Sequence, residues 1–320
     1  MQPAICVKDV SKRFGRKTVL NHVSFDVPQG VVFALLGENG AGKSTLIRSM
    51  LGYHRLDRGT IEVLGLDAAK KPLEIRRQIG YVSDAPAMYE WMKVSDIGWF
   101  ASGFYPKGFL ERFQQLAQEF ELPSQTKIRD LSKGMRSKVA LALAMASEPA
   151  LLILDEPTSG LDPLVRRQFL ESMIDRAASG QTVFLSSHQI HEVERVADWV
   201  GFLHEGKLRV VAPLDQIKSA LTVLTFSQHD TVLPLPNVLA ADHILYQTQS
   251  GRSWRVIIAG WSPSLEAELI RDANIFDVGT IRPNLEDLFV AFTRGNESLE
   301  LSPQLLTSCS SPDSIEPVTV

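Results

Sequence analysis

A glycine-rich segment carries the clearest chemical signal in the chain. It runs Gly37-Glu38-Asn39-Gly40-Ala41-Gly42-Lys43-Ser44-Thr45. The spacing matches the phosphate-binding loop pattern, in which glycines allow successive backbone N–H groups to face phosphate oxygens. In that pattern Lys43 reaches the β- and γ-phosphates, and the Ser44 hydroxyl binds Mg²⁺. The segment therefore predicts a site for a nucleoside triphosphate with magnesium.

An acidic pair later in the chain supplies groups that could hydrolyse a bound triphosphate. Asp155 and Glu156 follow directly after the apolar run Leu151-Leu152-Ile153-Leu154. We expect Asp155 to hold Mg²⁺ through water and Glu156 to polarise the attacking water, a role typically worth about 10²–10⁴ in rate. An acidic pair after a strand can also be a solvated strand end. Its place roughly a hundred residues after the glycine-rich loop favours the catalytic interpretation.

Three apolar runs predict the strands that position these groups. They are Val31 to Leu36, Ala150 to Leu154 and Thr182 to Leu185, and continuous apolar strands are typical of parallel sheets buried on both faces. The first leads into the loop, the second into the acidic pair and the third into Ser186-Ser187-His188. Ligands of open parallel sheets bind at the carboxyl edge. The runs therefore predict an α/β fold with its site on that edge. Because a strand precedes the glycine-rich segment and a helix pattern follows it, a phosphate-binding loop explains the segment better than a chance glycine-rich turn does.

The chain is predicted to divide into three regions. Residues 1–214 form the nucleotide-binding domain, with an aromatic-rich helical subdomain inserted at about 84–147. Residues 215–294 alternate strand and helix patterns and predict a small α+β domain. Residues 295–320 are rich in Ser, Pro and acidic residues and predict a disordered tail.

Composition excludes several classes of function. The chain is 44% hydrophobic and 22% charged, as expected for a globular protein, and its net charge of −4 lies in the predicted tail. The remaining body is neutral, so we expect no nucleic acid as partner. The longest apolar run, Val139 to Ala146, falls short of the roughly 20 residues of a membrane-spanning helix. The N-terminus lacks a signal-peptide pattern, and two cysteines are too few for a disulfide framework.

A short segment between the two motifs identifies a family. Leu131-Ser132-Lys133-Gly134-Met135 resembles the Leu-Ser-Gly-Gly-Gln signature of the ATP-binding-cassette (ABC) ATPases, and the resemblance extends over about residues 3–215. It implies a P-loop NTPase fold of the ABC type with an inserted helical subdomain. It also implies a second ABC cassette as partner, so that two cassettes enclose two ATP molecules. Ser132 and Gly134 would then contact the γ-phosphate in the partner's loop, and Ser132 suits a helix N-cap.

The same resemblance implies roles for three further residues. Phe14 lies where the family has its adenine-stacking aromatic residue, and His188 matches the switch histidine that contacts the γ-phosphate. Ser159-Gly160-Leu161-Asp162 matches the D-loop, in which Asp162 would brace the dimer interface. Each role has an alternative: Phe14 and His188 could be ordinary core residues, and Asp162 could lie in a solvated turn. His191, His204 and His243 are assigned no role.

Asp84 is the main departure from the family pattern. Most ABC cassettes have a glutamine after the strand that precedes the helical subdomain, whereas Ile79-Gly80-Tyr81-Val82-Ser83 leads here to Asp84. A carboxylate is a suitable hard ligand for Mg²⁺, but beside phosphate it needs a neighbouring cation. Our hypothesis is that Asp84 is a conditional metal ligand, engaged only when its loop closes. The alternative is a loop residue that faces water.

Lys133 and Met135 are the second departure. A cation at the start of the signature helix should not weaken ATP binding, because it faces phosphate. Signatures of this form resemble those of cassettes that serve exporter-type permeases, and the segment from Asn284 to Phe289 resembles one found near the C-terminus of the same group.

The resemblance implies the ATP-hydrolysing subunit of an ABC transporter on the cytoplasmic face of a membrane. Because no part of the chain is predicted to cross the bilayer, the permease must be a separate integral-membrane chain. We expect the permease to dock at the helical subdomain, where most aromatic rings fill a small core and Tyr89, Trp91 and Met92 are exposed to the partner. The alternative is that all of these rings belong to the core. One alternative is a cassette without a transport role. The other is a regulatory cassette with weak hydrolysis, against which Glu156 and His188 argue. The sequence leaves the cargo, its direction and the choice between homodimer and heterodimer open.

Overall fold

The computed structural model describes residues 2–158, 161–231, 234–236, 238–239 and 243–295. The chain divides into two compact units between Val211 and Ala212, three residues before the predicted domain boundary. The predicted tail lies outside the described residues except for Gly295. Ser159 and Gly160 of the predicted D-loop lie outside them as well.

The first unit combines two sheets with helices. Its strands are β1 (Ile5–Phe14), β2 (Lys17–Val27), β3 (Val32–Leu36), β4 (Arg58–Val63), β5 (Leu66–Asp67), β6 (Ile79–Val82), β7 (Leu151–Asp155), β8 (Thr182–Ser187), β9 (Trp199–His204) and β10 (Lys207–Pro213), the last of which runs past the division. Its helices are α1 (Lys43–Met50), α2 (Pro72–Gln78), α3 (Val94–Ser102), α4 (Phe109–Glu119), α5 (Lys133–Met145), α6 (Pro163–Ala178) and α7 (Ile190–Val193), with a short 3-10 helix at Ile128–Asp130.

A six-stranded sheet positions the candidate site. Its strand order is β10-β9-β3-β8-β7-β6, and β3 pairs in parallel with both β8 and β9. Strands β7 and β6 continue the parallel pairing. Every residue of β3, β7 and β8 is buried, which confirms the prediction made from the continuous apolar runs. The carboxyl ends of β3, β6, β7 and β8 therefore lie on one edge of the sheet.

The second sheet has the order β2-β1-β4-β5 and packs against the first through aromatic rings. Phe25 of β2 stacks on Phe33 of β3 with ring centroids 5.6 Å apart, and Phe33 stacks on Phe184 of β8 at 5.4 Å. Strand β1 is irregular, because Asp9 has a left-handed backbone with a φ of 51° and the pairing with β2 shifts register between Val7 and Val10 and again after Val10. This irregular strand carries Phe14 at its carboxyl end.

Helices α3, α4 and α5 form the predicted helical subdomain. Phe113 of α4 is 1% exposed and packs directly on Gly98 of α3, where any Cβ would collide with the ring. Ser132 caps α5, since its Oγ accepts a hydrogen bond from the Met135 backbone N–H at 3.2 Å. The predicted N-cap is therefore confirmed.

The second unit is an antiparallel sheet with helices, as its strand and helix patterns predicted. Its strands are β11 (Leu221–Gln228), β12 (Ile244–Ser250), β13 (Ser253–Ala259) and β14 (Ile275–Ile281), in the order β12-β13-β11-β14. Its helices are α8 (Leu214–Ala220), α9 (Pro263–Ile270) and α10 (Leu285–Arg294). Asn284 and Asp287 form a capping box at α10, and Asp287 also binds Arg255 at 2.7 Å.

Within the described part of the chain, none of the helices combines the length and the apolarity that crossing a bilayer requires.

Candidate nucleotide site

The loop between β3 and α1 requires glycine at two positions because other strands approach it closely. A Cβ on Gly37 would collide with the backbone carbonyl of Leu203 in β9. Gly42 has a φ of 112°, and a Cβ there would lie 2.8 Å from the Val19 carbonyl of β2. L-residues with a side chain are strained at such a φ. The loop is thus held between two strands, with Glu38, Asn39 and Gly40 exposed at its tip.

The start of α1 is free to receive an anion. The first turn contains no acidic residue, and its N-cap, Gly42, has no side chain that could satisfy the first N–H groups. Unpaired backbone N–H groups and the positive end of the helix dipole therefore face the loop. Ser44 and Thr45 lie in this first turn, while Ala41 is buried beneath the loop. The arrangement suits phosphate.

Lys43 is folded into the loop and contacts the acidic pair. Its side chain is 5% exposed, and its Nζ donates hydrogen bonds to the carbonyls of Gly37 at 2.7 Å and Glu38 at 3.2 Å. The same Nζ lies 3.1 Å from Oε1 of Glu156. That approach lacks hydrogen-bond geometry, so the buried Oε1 has no hydrogen-bond partner among the described residues. Lys43 therefore neutralises Glu156 while leaving this oxygen able to accept a hydrogen bond.

Asp155 and Ser44 form a candidate magnesium site. Asp155 is 2% exposed, and its Oδ1 accepts hydrogen bonds from Ser44 Oγ at 3.1 Å and Ser186 Oγ at 2.7 Å. Mg²⁺ prefers hard oxygen ligands and usually takes one or two protein groups together with water and phosphates. The described residues contain no group of three His, Cys, Asp or Glu that could hold a metal alone. The donors thus fit a cation that shares the site with a triphosphate.

Tyr81 of β6 lies on the strand next to that of Asp155, and its role was not predicted from the sequence. Burial, together with the negative charge of Asp155, raises the pKa of Tyr81 to about 12, although Arg48 opposes the change. The phenol therefore stays protonated beside the candidate metal carboxylate. Tyr81 pairs with Ile153, two residues before Asp155. The pairing of β6 with β7 brings Tyr81 to this position, and the sequence alone does not reveal that pairing.

Glu156 is the most constrained candidate residue. Its φ of 51° is left-handed, a conformation that costs a non-glycine residue of order 1–2 kcal/mol and is common at active sites. Its N–H contacts both the carbonyl and the Oγ of Ser186, at 3.2 and 3.1 Å. Its Oε2 accepts from the backbone N–H of His188 at 3.3 Å and lies 2.7 Å from that ring's Nδ1. The carboxylate is thus held from two sides.

The structure shows whether Phe14 and His188 belong to the core. The Phe14 side chain is 46% exposed and that of His188 is 40% exposed, so neither is a core residue. Asp84 is exposed and makes no hydrogen bond or ion pair with the described residues. Asp162 accepts a hydrogen bond from the Val165 N–H at 3.0 Å and so caps α6, which fits the solvated-turn alternative as well as the interface role.

The signature residues lie at the start of α5. Ser132 and Lys133 are exposed, whereas Gly134 and Met135 are half-buried. The recorded hydrogen bond of the Ser132 hydroxyl lies within its own helix. The structure thus brings Lys43, Ser44, Asp155, Glu156 and His188 together within one chain, and it leaves the signature at a surface.

Comparison with known proteins decides the family. The ABC transporter profile matches residues 20–159. The bacitracin transport ATP-binding protein BcrA of Bacillus licheniformis is 34% identical over 225 residues, which cover 68% of this chain and 72% of BcrA. The chain belongs to the ABC transporter family of ATP-binding proteins.

Two further comparisons extend over this ABC cassette. The ABC transporter ATP-binding protein YtrB of Bacillus subtilis (strain 168) is 29% identical over 286 residues, which cover 89% of the chain and 96% of YtrB. A solved ATP-binding subunit of an ABC transporter superposes with a TM-score of 0.63 and 35% identity, covering 68% of this chain and 92% of its own. The predicted family, the ABC fold and the ATPase class are confirmed. Cassettes of this family bind ATP, dimerise and pair with a membrane permease.

Proposed function

We propose that this cassette hydrolyses ATP–Mg²⁺ within a dimer of cassettes on the cytoplasmic face of a membrane and so drives a separate permease of the exporter type. The observation that carries the hydrolytic part is the placement of Glu156. Its carboxylate lies between Lys43 and His188, and one of its oxygens is buried without a hydrogen-bond partner in the part of the chain that the structure describes. A carboxylate held in this way is suited to accept a proton from water.

Binding of ATP would redistribute the contacts of Lys43. The ammonium is shared between two loop carbonyls and Glu156. Triphosphate oxygens are stronger acceptors for an ammonium than neutral carbonyls are. Once Lys43 turns to phosphate, Oε1 of Glu156 is released to orient and deprotonate the attacking water, while His188 keeps Oε2 in place. When bound at Ser44 and Asp155, Mg²⁺ supplies positive charge to the phosphate oxygens.

A second cassette would complete the site. Ser132, Lys133 and Gly134 lie at the N-terminus of α5, where the helix dipole favours an anion. In one chain this end is at the surface, and it therefore suits the γ-phosphate held by a partner's loop. Lys133 adds a positive charge that the usual family signature lacks. The partner cassette is either a second copy of this chain or a paralogue.

A groove beside the helical subdomain is the candidate permease dock. It has a volume of about 560 Å³, and its lining includes Arg76, Tyr81, Met88, Tyr105 and Leu143. An amphipathic helix that lays its apolar face into such a groove is a common recognition mode. Tyr89 and Trp91, beside the groove in sequence, are 52% and 65% exposed, but the predicted exposure of Met92 is wrong. Met92 is 8% exposed because it packs into the subdomain core.

Charge placed in this surface is expected to release the permease. Met88→Glu and Trp91→Glu should each lower the amount of permease that co-purifies with the cassette by about tenfold, because an unpaired carboxylate would be buried in an apolar contact. Ile174→Glu, at another exposed apolar position, is the matched control. Unchanged co-purification with both groove variants would show that the permease binds elsewhere.

The role of Asp84 predicts a change in magnesium dependence. In Asp84→Asn the Mg²⁺ concentration that gives half-maximal ATP hydrolysis is expected to rise by about tenfold, as when other supporting metal ligands are removed. Asp96→Asn, an exposed carboxylate at the start of α3, is the control. Titration of Mg²⁺ against steady-state hydrolysis by the full chain tests both points. A curve identical to that of the unmodified protein would make Asp84 a loop residue that faces water, and hydrolysis without Mg²⁺ would contradict the proposed function.

The exporter assignment is supported by the kind of relative that the chain resembles. BcrA is a bacitracin transport protein by name. The Leu-Ser-x-Gly-Met form of the signature and the segment at the start of α10 fit the same group. We propose a cargo of that general class, an antimicrobial or drug-like compound moved by the permease.

A further inference from the structure

The ring of Phe14 is contacted by two side chains from different parts of the first unit. The Nζ of Lys12 lies over the ring, 5.1 Å from its centroid. The imidazole of His54 meets the ring at 5.3 Å with an interplanar angle of 78°, an edge-to-face contact. The Phe14 side chain is nevertheless 46% exposed. A cation therefore lies over one face of the ring, while almost half of the residue's surface remains open.

The position of these groups follows from the strand and from one aspartate. Lys12 and Phe14 are two residues apart on β1 and so share a face of the strand. Asp57 fastens the segment that carries His54 to the same strand, since its N–H donates to the Ser11 carbonyl at 3.1 Å and its Oδ2 accepts from the Arg13 N–H at 2.6 Å. Its Oδ1 lies 3.9 Å from the Lys12 ammonium. Asp57 thus orients both neighbours of the ring.

The charges of the two neighbours differ. Burial lowers the pKa of His54, and the nearby cations Arg48 and Lys12 lower it further. The imidazole is therefore neutral at pH 7 and packs as an aromatic ring. The Lys12 side chain is only 14% exposed, so its ammonium is kept at the ring and has little freedom to move into water. Such a cation is attracted to the π face of the ring.

The ring of Phe14 lies close to the phosphate loop. Phe14 pairs with Lys17 in β2, and two residues further along β2 the Val19 carbonyl abuts Gly42. Two strand residues span about 7 Å, a distance that a ribose and its α-phosphate can bridge. A base stacked on the open face of Phe14 is thus compatible with phosphates in the loop.

We propose that Lys12 and His54 are positioning residues that hold Phe14 as a preformed stacking platform for the purine base of the nucleotide. Lys12 covers one face and draws π density towards itself, which leaves the opposite face better suited to an electron-rich purine. His54 fixes the tilt of the ring. The inference rests on the proposed binding of ATP and on the base-stacking role that the family resemblance implies for Phe14, and it deepens both. Because stacking does not read hydrogen-bonding edges, ATP and GTP are affected alike.

Equilibrium binding of ATP–Mg²⁺ and GTP–Mg²⁺ to the full chain tests the proposal. Phe14→Ala is expected to raise Kd for both nucleotides by about tenfold or more, as stacking contacts do. Lys12→Met and His54→Leu should each raise Kd by about two- to fivefold, the effect of a single exposed cation–π or aromatic contact. KM should rise by the same factor while kcat stays unchanged. Lys8→Met, an exposed lysine on the same strand, is the matched control and should leave Kd unchanged.

Double variants distinguish positioning from a general structural effect. In the Phe14→Ala background, Lys12→Met should not raise Kd any further, because the ring on which Lys12 acts is absent. The proposal would be overturned if Lys12→Met raised Kd by the same factor with and without the Phe14 ring. It would also be overturned if the Lys12→Met protein bound nucleotide as tightly as the Lys8→Met protein. A Phe14→Ala protein with unchanged Kd would instead refute the proposed base contact itself. Thermal midpoints of all variants verify that each protein is folded.

Discussion

Replacement of Glu156 by glutamine is expected to lower the steady-state ATPase rate by about 10²–10⁴-fold, the contribution of a positioned general base. Glutamine has nearly the same shape and its carbonyl oxygen can still accept from His188, so the fold of this segment should persist. The amide cannot take a proton from water. ATP affinity should not fall, because Lys43 is no longer shared with a carboxylate at Oε1.

The second expected result for this variant is a stable closed dimer. If hydrolysis opens the sandwich, a cassette that binds ATP without hydrolysing it should remain dimeric, which size-exclusion chromatography with saturating ATP–Mg²⁺ measures directly. Glu171→Gln is the control, since Glu171 pairs with Arg167 at 2.8 Å on the exposed surface of α6. A rate within tenfold of the unmodified protein would assign the base to another group and favour the weakly hydrolysing regulatory alternative. A monomer under these conditions would contradict the proposed dimer.

The apolar runs predicted the parallel strands because burial on both faces leaves a local signature. Val31 to Leu36 differs from the observed β3 by one residue, and the run from Thr182 extends two residues further to Ser187. Strand β1 leaves a weaker signature, because the left-handed Asp9 and the shifts in register around it interrupt the alternation of its side chains. Strands β9 and β10 were missed. The turn between them contains Glu205 and Gly206, both with positive φ. Glu-Gly is a weaker hairpin signal than Asn-Gly or Asp-Gly, so the sequence does not predict this turn.

The contacts within the candidate site are largely non-local. Motif spacing singled out Lys43 and Glu156, but no sequence pattern indicates that their side chains meet at 3.1 Å. Ser186 binds both Asp155 and the Glu156 backbone, and it was named only as part of a strand end. These contacts depend on the register between β7 and β8, which pairs Asp155 with Ser186. Register is set by packing of the whole sheet, and a single sequence does not contain it in readable form.

Because Lys43 contacts Glu156, we expect Lys43→Met to lower both the affinity for ATP and the free energy of unfolding, each for its own reason. ATP affinity should fall by about a hundredfold, since charge-assisted hydrogen bonds to phosphate are lost. The nucleotide-free protein should also lose about 2–4 kcal/mol in its free energy of unfolding, because Glu156 keeps a buried charge without its cation. Methionine preserves the length and apolar volume of the side chain, so packing contributes little to either effect.

Combination with Glu156→Gln separates the two losses. In the double variant Lys43→Met/Glu156→Gln, most of the stability should return in urea unfolding without nucleotide, because no buried carboxylate remains unpaired. ATP affinity should stay low, because phosphate still lacks its lysine. Lys70→Met is the matched control, as Lys70 pairs with Asp67 at 3.2 Å on an exposed surface where such pairs contribute about 0–1 kcal/mol. If the double variant is no more stable than Lys43→Met, the charge of Glu156 does not depend on Lys43, and the release of Oε1 by ATP binding must be abandoned.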